Sequence, residues 1–405
     1  MLKILFYLLF CISFAFANIL QETIDNAPYG STIKLPAGVY EGNIVISKPL
    51  SIVGKEPNVI IKGDNQGDVI TINASDVTLK NLTITYSGDK LQDHDSAIVM
   101  QNLNNCKIIN CKILESLYGI NMAMVENSLF LGNYIRSKEL PIRQRGDALK
   151  IWYSKNNTFK NNTIEFSRDI TLNYSNNNLF RKNTFLHNRF GVHISHSDNN
   201  ILENNLFQYN SVGIMLMGAK NTQVIHNNIY SSHGASGIAV VLKGVSNFLF
   251  EYNQVKYNTK GIFIDTKYNE NNIQRKIRYN EISYNKEALH FHGVIKNNLI
   301  TNNNFLGNID DVVKSARGPL TGFNIIEYNY WDRYVGFDRD GDGVGDNSHK
   351  IYQYADQLWH YNNKVKFFYA SPIMSLLNFL TTLAPFIDPI LIIQDTKPKV
   401  TYQAF

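Results

Sequence analysis

The apolar and polar positions along the chain repeat with a period in the low twenties. Four segments begin with glycine and then alternate apolar residues with others: Gly191–Ile194, Gly213–Leu216, Gly237–Val240 and Gly261–Ile264. Their glycines are 22, 24 and 24 residues apart. Short alternating strands at this period are typical of a parallel β-helix or a leucine-rich repeat. Because Ile, Phe and Val replace a leucine ladder, we predict an all-β fold, a right-handed parallel β-helix with coils of about 22–24 residues.

Asparagine has a structural reason to recur in such coils. Each coil contains about three short strands, and its backbone bonds to the coils on either side, about 4.8 Å away. Asn tolerates left-handed conformations at the bends, and stacked Asn amides can hydrogen-bond between coils. Cys111 stands where later coils carry this Asn. We interpret Cys111 as a buried structural thiol; a disulfide with Cys106 and a metal thiolate are the alternatives.

The ends of the chain differ from the repeat. The first 17 residues carry one cation, an apolar run and Ala15-x-Ala17, which is typical of a Sec-type signal peptide and predicts a periplasmic protein. An uncleaved anchor is the alternative. The predicted segments are the signal peptide (1–17), the β-helix with an N-terminal cap at 19–27 (18–335), an Asp/Gly-rich connector (336–365) and a C-terminal tail (366–405).

Composition excludes several classes of protein. With 44% hydrophobic and 18% charged residues, the 405-residue chain is not disordered. Its net charge of +5 is not concentrated in a basic run, so nucleic acid is not an expected partner. Three cysteines are too few for a disulfide scaffold.

Strand alternation assigns candidate metal ligands to the outer face of the coils. If Val192 and Ile194 point into the core, His193 points outward, and 22 residues later Met215 and Met217 do the same. Thioethers beside an imidazole suit the soft ion Cu(I). We therefore predict a copper site at His193, Met215 and Met217, with His196 just past the strand end. The alternative is an outer methionine stripe that packs under a loop or a partner.

Extending the register gives two outer rows. The first reads Lys150, Thr171, His193, Met215, Ala239, Phe263 and His290; the second reads Trp152, Asn173, Ser195, Met217, Val241, Asp265 and His292. Sugar-cleaving enzymes need paired carboxylates, and Asp265 is the one carboxylate in these rows. The rows therefore predict a protein that is not an enzyme, with a polysaccharide lyase, hydrolase or epimerase as the alternative.

The connector carries a calcium-type pattern. Oxygen-bearing side chains occupy positions 1, 3, 5 and 9 of a potential loop, glycine occupies position 6, and a backbone carbonyl would come from position 7. The candidate Ca²⁺ ligands are Asp338, Asp340, Asp342, Val344 and Asp346. Position 12 is His349 rather than Glu, and a solvated turn is the alternative. A bound ion would clamp the end of the β-helix to the tail.

The tail is predicted to dock onto a membrane partner. Ser371 and Pro372 are suited to begin a helix with one apolar stripe, which is followed by a second apolar run. The docking residues we predict are Ile373, Leu376, Leu377, Leu380, Phe386, Ile390 and Leu391. Prolines interrupt the run, so a transmembrane helix is not expected. A lid folded back on the coils is the alternative.

Several blocks of the mature chain together resemble the NosD family, whose members mature nitrous oxide reductase in the periplasm. The repeats alone indicate only the broader class of CASH domains, which includes carbohydrate-active enzymes. The more specific blocks are 146–154, 189–193, 213–217, 236–243, 329–332, 336–343 and 369–372.

The resemblance implies an accessory subunit of an ABC transporter, bound to a permease with a cytoplasmic ATPase at the inner membrane. It further implies a lipoprotein copper chaperone and nitrous oxide reductase as partners, and Cu(I) held in transit by the His193 group. Family members often follow Gly-Val-His with Tyr-Met-Tyr, whereas this chain continues with Ile194-Ser195-His196. Either His196 replaces a thioether or the site is built differently. A structural scaffold that binds no metal is the remaining alternative.

Overall fold

The chain is a parallel β-helix of about 12 turns, which confirms the predicted fold class. The computed structural model describes residues 19–41, 43–265, 274–315, 324–353, 371–383 and 390–405. The predicted signal peptide therefore lies outside the described residues. The chain divides into two compact units, Met1–Asn210 and Ser211–Phe405, and this division falls inside the segment predicted as one β-helix domain.

In the first unit, each coil contributes a first, a second and a third strand, and each strand pairs in parallel with its counterpart one coil on. The first strands are Thr32–Leu35, Ser51–Gly54, Thr78–Lys80, Lys107–Ile109, Leu129–Leu131, Thr158–Lys160, Leu179–Arg181 and Ile201–Glu203. The second strands are Gly38–Glu41, Val59–Lys62, Thr83–Thr85, Lys112–Ser116, Tyr134–Ser137, Thr163–Glu165, Thr184–Leu186 and Leu206–Gln208. The third strands are Ile44–Ile46, Ile70–Ile72, Ser96–Asn104, Tyr118–Glu126, Leu149–Trp152, Asp169–Asn173 and Phe190–Ser195.

The second unit has the same parallel three-strand repeat. Its first strands are Gln223–Ile225, Phe248–Glu251, Arg275–Arg278, Asn298–Thr301 and Ile325–Glu327. Its second strands are Asn228–Tyr230, Gln254–Lys256, Glu281–Ser283, Asn304–Leu306 and Tyr330–Trp331. Its third strands are Val212–Met217, Ile238–Lys243, Lys260–Asp265, Glu287–His292 and Asp310–Lys314.

Stacked side chains hold the coils in register. Inside the first unit Phe159 and Phe180 stack with ring centroids 4.5 Å apart. At one bend a buried ladder of Asn amides links successive coils: Asn162 Nδ2 donates to Asn183 Oδ1 at 2.9 Å, and Asn183 Nδ2 donates to Asn205 Oδ1 at 3.0 Å. Because each amide also binds backbone groups, the ladder satisfies polar groups that the bend would otherwise leave buried and unpaired.

Cys111 occupies the ladder position predicted for it. Its backbone N–H donates to Asn133 Oδ1 at 2.9 Å, as the ladder asparagines do in later coils. Cys106 and Cys111 are both buried free thiols, so the disulfide alternative is wrong. Burial raises the pKa of Cys111 to about 11, which keeps it in the thiol form and supports its interpretation as a structural residue.

A helix and a strand ribbon close the ends of the fold. The helix Ile19–Asn26 buries Leu20 and Ile24, and Gln21 exchanges hydrogen bonds with the backbone of Val45 on the first coil. This is the predicted N-terminal cap. In the second unit the strand His349–Gln353 pairs antiparallel with Ile390–Asp395. A second helix spans Pro372–Leu383. Among the described residues, no helix has both the length and the apolarity needed to cross a bilayer.

The C-terminal ribbon ends in a carboxylate that caps the Asn ladder of the second unit. Asp395 is fully buried, and its Oδ2 accepts from Asn329 Nδ2 and from Trp331 Nε1, both at 2.9 Å. Ile392 and Ile393 are buried as well. This part of the apolar run therefore closes the fold, as in the lid alternative, and is not free to dock onto a partner.

We expect Asp311→Asn to stabilise the protein at neutral pH. Burial raises the pKa of Asp311 to about 6, so the unfolded chain loses this proton first and stability falls as the pH rises from about 4 to about 6. At about 1.4 kcal/mol per pKa unit, removing the charge should raise the free energy of unfolding by about 3 kcal/mol at pH 7.5 and by little at pH 3.5. Denaturant unfolding at both pH values measures this; an equal gain at both would contradict it, and the exposed Asp93→Asn is the control.

Candidate metal centre

His193 lies on the outer face of the third strand Phe190–Ser195 in the first unit. Its neighbours Val192 and Ile194 are fully buried, whereas His193 is partly exposed, so the predicted alternation is present. Thr171 stands beside it on the preceding coil, and Lys150 beside Thr171. The part of the first predicted outer row that lies in the first unit, Lys150, Thr171 and His193, is therefore correct.

The imidazole of His193 has a nitrogen available for a ligand. Its Nε2 atom is buried and has no hydrogen-bond partner among the described residues. Burial is the main cause that lowers the pKa of His193, the Arg189 cation adds to this, and Asp169 opposes it. The ring is therefore neutral at neutral pH. A neutral imidazole with an unpartnered nitrogen is the form that binds a metal ion.

A polar cluster at the start of the third strands surrounds this position and was not predicted. Asp169 is buried, and Arg189 forms a bidentate ion pair with it. Asp147 accepts from Thr171 Oγ1 at 2.9 Å, and burial together with Asp169 raises the pKa of Asp147 to about 6. The sequence contains a signal for this cluster, because Asp147 and Asp169 stand 22 residues, about one coil, apart near the start of successive third strands. The first predicted row passes through Lys150 and Thr171, two or three residues later, and so missed them.

His196 lies at the bend rather than on the strand. It is exposed, its backbone φ is 47°, and its ring stacks on Tyr174 at 5.5 Å. Tyr174 stacks in turn on Tyr153, so His196 belongs to an exposed column of aromatic rings. Ser195 Oγ lies 2.9 Å from His196 Nδ1, so Nδ1 is engaged and Nε2 is the second ring nitrogen.

Met215 and Met217 lie on the third strand Val212–Met217 of the second unit. Ile214 and Leu216 are fully buried, and both methionines are partly exposed, as the alternation predicts. The two histidines and the two methionines thus belong to different units, each of which presents its candidates outward. That these residues bind one ion remains a prediction.

The predicted rows are wrong for the coil that contains Gly237. Met215 pairs with Val241 and Met217 with Lys243, so Ala239 and Val241 do not follow the methionines as predicted. Gly237 has a left-handed φ of 58° and precedes the strand. Gly213 stands one residue inside its strand, where an added Cβ would lie 2.6 Å from Ala239 O. The sequence prediction treated Gly213 and Gly237 as equivalent, although they have different roles. This displaced the predicted rows of this coil by two residues.

The Asp/Gly connector forms a tight turn. Asp338, Asp340 and Asp342 each offer an oxygen within 4.8 Å of the others. These oxygens accept bonds from the amides of the loop itself: Asp338 from Gly341 and Gly343 at 2.8 and 2.9 Å, and Asp342 from Val344 at 2.7 Å. Asp346 accepts from the backbone of Arg339.

Two further residues of the calcium-type segment, Gly345 and His349, have structural roles. His349 packs on Trp331 at 5.3 Å, and burial lowers its pKa to about 4. The turn is tied to the tail through Gly345 N–H, which donates to Pro398 O at 2.8 Å. The connector thus clamps the tail through its own backbone, and calcium binding gains no support beyond the three carboxylates.

The predicted docking residues fall into three groups. Ile373, Leu376, Leu377 and Leu380 of the helix Pro372–Leu383 are exposed, Ile373 by 61%. Leu391 is exposed on the C-terminal strand, which begins at Ile390. Phe386 lies outside the described residues.

Comparison with known proteins places these features in a family. The family model described as "Periplasmic copper-binding protein (NosD)" matches residues 131–336, which include all four candidate copper ligands. Fold and family match define a periplasmic copper-binding β-helix. The chain belongs to the NosD family.

Two relatives extend the match to nearly the whole chain. Both are described as "Probable ABC transporter binding protein NosD". The protein from Stutzerimonas stutzeri is 24% identical over 87% of this chain and 83% of its own length. The protein from Pseudomonas aeruginosa is 27% identical over 87% of this chain and 84% of its own length. These relatives are thus named as binding proteins rather than as enzymes.

Solved structures share the fold alone. The A-modules of two mannuronan C-5 epimerases from Azotobacter vinelandii superpose with TM-scores of 0.62 and 0.60, each at 14% identity. The superpositions cover 76% and 75% of this chain, and 93% and 94% of the two modules. At this identity the likeness concerns the coils and carries no argument about chemistry.

Proposed function

We propose that this protein is the periplasmic subunit of an ABC transporter and that it holds Cu(I) in transit to nitrous oxide reductase. The observation that carries the proposal is the buried Nε2 atom of His193 on the outer face of a coil, which has no hydrogen-bond partner in the part of the chain that the structure describes. The copper-binding family description and the names of the two relatives support the wider role.

Copper is the cargo of this proposal, and His193, Met215 and Met217 are its ligands. The support is the 22-residue spacing from His193 to Met215, which equals one coil of the repeat, and the outward orientation of each side chain within its own unit. One imidazole with two thioethers is a soft donor set that favours Cu(I) over harder ions. Because His193 is neutral, no proton has to leave before the metal binds. His196 is the proposed fourth ligand.

The exposed helix Pro372–Leu383 is the proposed contact with the transporter permease. Leu376, Leu377 and Leu380 stand one helical turn or less apart and expose 56%, 43% and 47% of their surface. An apolar helix face of this kind fits a hydrophobic partner surface near the membrane. On this proposal the signal peptide 1–17 directs export, and the lipoprotein copper chaperone and the reductase exchange copper with the subunit.

A complementation experiment tests the proposed function. In a denitrifying host that lacks the gene, we expect the wild-type protein to restore the copper content of nitrous oxide reductase. The triple variant His193→Ala, Met215→Ala, Met217→Ala should still co-purify with the permease but leave the reductase without copper. Ser substitutions at Leu376, Leu377 and Leu380 should abolish co-purification and copper content together.

The outcomes separate delivery from scaffolding. Full copper loading by the triple variant would make the protein a scaffold that binds no copper at these residues. Undiminished co-purification of the helix variant would remove the helix as the docking surface. Met124→Ala, at an exposed methionine outside the proposed ligands, is the matched control and should behave as the wild type.

A further inference from the structure

Two histidines on the strand Glu287–His292 of the second unit each place a ring nitrogen next to the same oxygen atom. His290 and His292 are two residues apart and share the outer face, while Phe291 between them is fully buried. Nε2 of His290 lies 3.2 Å from Ser315 Oγ, and Nδ1 of His292 lies 2.9 Å from the same oxygen. The hydroxyl thus stands between two imidazole nitrogens, where a bound cation would stand.

A buried carboxylate orients the first of these rings. Nδ1 of His290 lies 2.5 Å from Glu287 Oε2, and both residues are more than 90% buried. Lys260 Nζ lies 3.5 Å from the same carboxylate oxygen and 3.3 Å from the same ring nitrogen. Because a carboxylate accepts, Nδ1 carries the proton that it donates to Glu287, and Nε2 keeps its lone pair toward Ser315. Metal-binding histidines characteristically donate their second nitrogen to a carboxylate in this way.

The surroundings complete one side of a ligand shell. Phe263 stacks on His290 with ring centroids 4.9 Å apart and on His292 with centroids 6.2 Å apart, so it shields the pair on one side. Asp265 pairs in register with His292 and stands beside it on the same outer face. Toward solvent, Ser315 is exposed and His292 partly exposed among the described residues.

We propose that His290 Nε2 and His292 Nδ1 bind a divalent cation that prefers imidazole, of the Zn²⁺ or Cu²⁺ kind. Asp265 and Ser315 are the neighbouring oxygen donors, and Glu287 is a positioning residue that holds the His290 ring. Two imidazoles with oxygen donors suit a borderline divalent ion, whereas the thioether set proposed for Cu(I) suits a soft one. This site stands on its own residues and does not depend on the proposed function.

Titration of the full mature protein with Zn²⁺ in a calorimeter tests the site. We expect one equivalent to bind to the wild type and this binding to be lost in His290→Ala and in His292→Ala. Glu287→Gln should weaken it about 10–100-fold without abolishing it, as loss of a carboxylate behind a metal-bound histidine does. His226→Ala, which removes an imidazole of the same unit that stacks on Tyr252, should bind as the wild type does.

Further measurements distinguish a metal site from a hydrolytic one at the same residues. With Cu²⁺ as the probe, the electron paramagnetic resonance spectrum should show two coordinating nitrogens in the wild type and fewer in either variant. The His193/Met215/Met217 triple variant, whose substitutions lie outside this site, should keep the Zn²⁺ equivalent. Unchanged Zn²⁺ binding in folded His290→Ala and His292→Ala would overturn the proposal. So would the absence of Zn²⁺ binding together with ester hydrolysis that Ser315→Ala removes, because Ser315, His290 and Glu287 would then be a catalytic triad.

Discussion

Cu(I) affinity is expected to fall at least about a hundredfold when His193, Met215 and Met217 are all replaced by alanine. Loss of a residue behind one metal ligand already costs about 10–100-fold, and this variant removes three proposed ligands at once. A hundredfold loss corresponds to about 2.7 kcal/mol of binding free energy. Competition with a Cu(I) chelator, carried out without oxygen on the mature protein, measures the change.

Single and control variants sharpen this prediction. His193→Ala alone should produce a large part of the loss, because His193 has the buried nitrogen without a partner among the described residues. Met124→Ala should leave the affinity unchanged, since Met124 is an exposed methionine outside the proposed ligands. If the triple variant competes for Cu(I) as well as the wild type, the copper site lies elsewhere in the chain.

Replacement of a ladder asparagine is expected to have the largest effect on stability. Asn183→Ala removes an acceptor that receives bonds from Asn162 N and Nδ2, and a donor to Phe159 O and Asn205 Oδ1. All of these groups would stay buried, and an unpaired buried polar group costs about 1–3 kcal/mol. We expect the free energy of unfolding in guanidinium chloride to fall by about 4 kcal/mol.

An outward asparagine of the same unit provides the matched control. Asn121 lies on the outer face of Tyr118–Glu126, partly exposed. Asn121→Ala should change the free energy of unfolding by less than about 1 kcal/mol, because substitution there leaves no buried partner unpaired. Equal losses in the two variants would mean that the amide ladder does not stabilise the coils.

The repeat was predictable because it follows from the local periodicity of apolar and polar residues in the sequence. Inward residues such as Val192 and Ile194 alternate with outward ones, and the sequence spacing of the coils then gives the stacking. Cys111 could be placed because it shares the sequence context of the ladder asparagines. Left-handed backbone was also expected at the bends, but it falls on the residue before the ladder: Asn161 and Lys182 have positive φ, not Asn162 and Asn183.

Features that depend on distant contacts were not predictable. The burial of Ile392, Ile393 and Asp395 follows from an antiparallel strand pair more than 35 residues apart in sequence, which local pattern does not reveal. The register error at Gly237 arose because a glycine before a strand and one inside it look alike in sequence. His290 and His292 were placed on the outer face, yet Glu287 and Ser315 turn them into a candidate site only through side-chain geometry.

X-ray absorption spectroscopy of the Cu(I)-loaded protein tests the proposed copper site most directly, because it identifies the types of atom that coordinate copper. We expect a first shell that contains both sulfur and nitrogen, with the sulfur contribution lost in Met215→Ala, Met217→Ala and the nitrogen contribution reduced in His193→Ala. A first shell of nitrogen and oxygen alone, or one that these variants leave unchanged, would contradict Cu(I) binding by His193, Met215 and Met217.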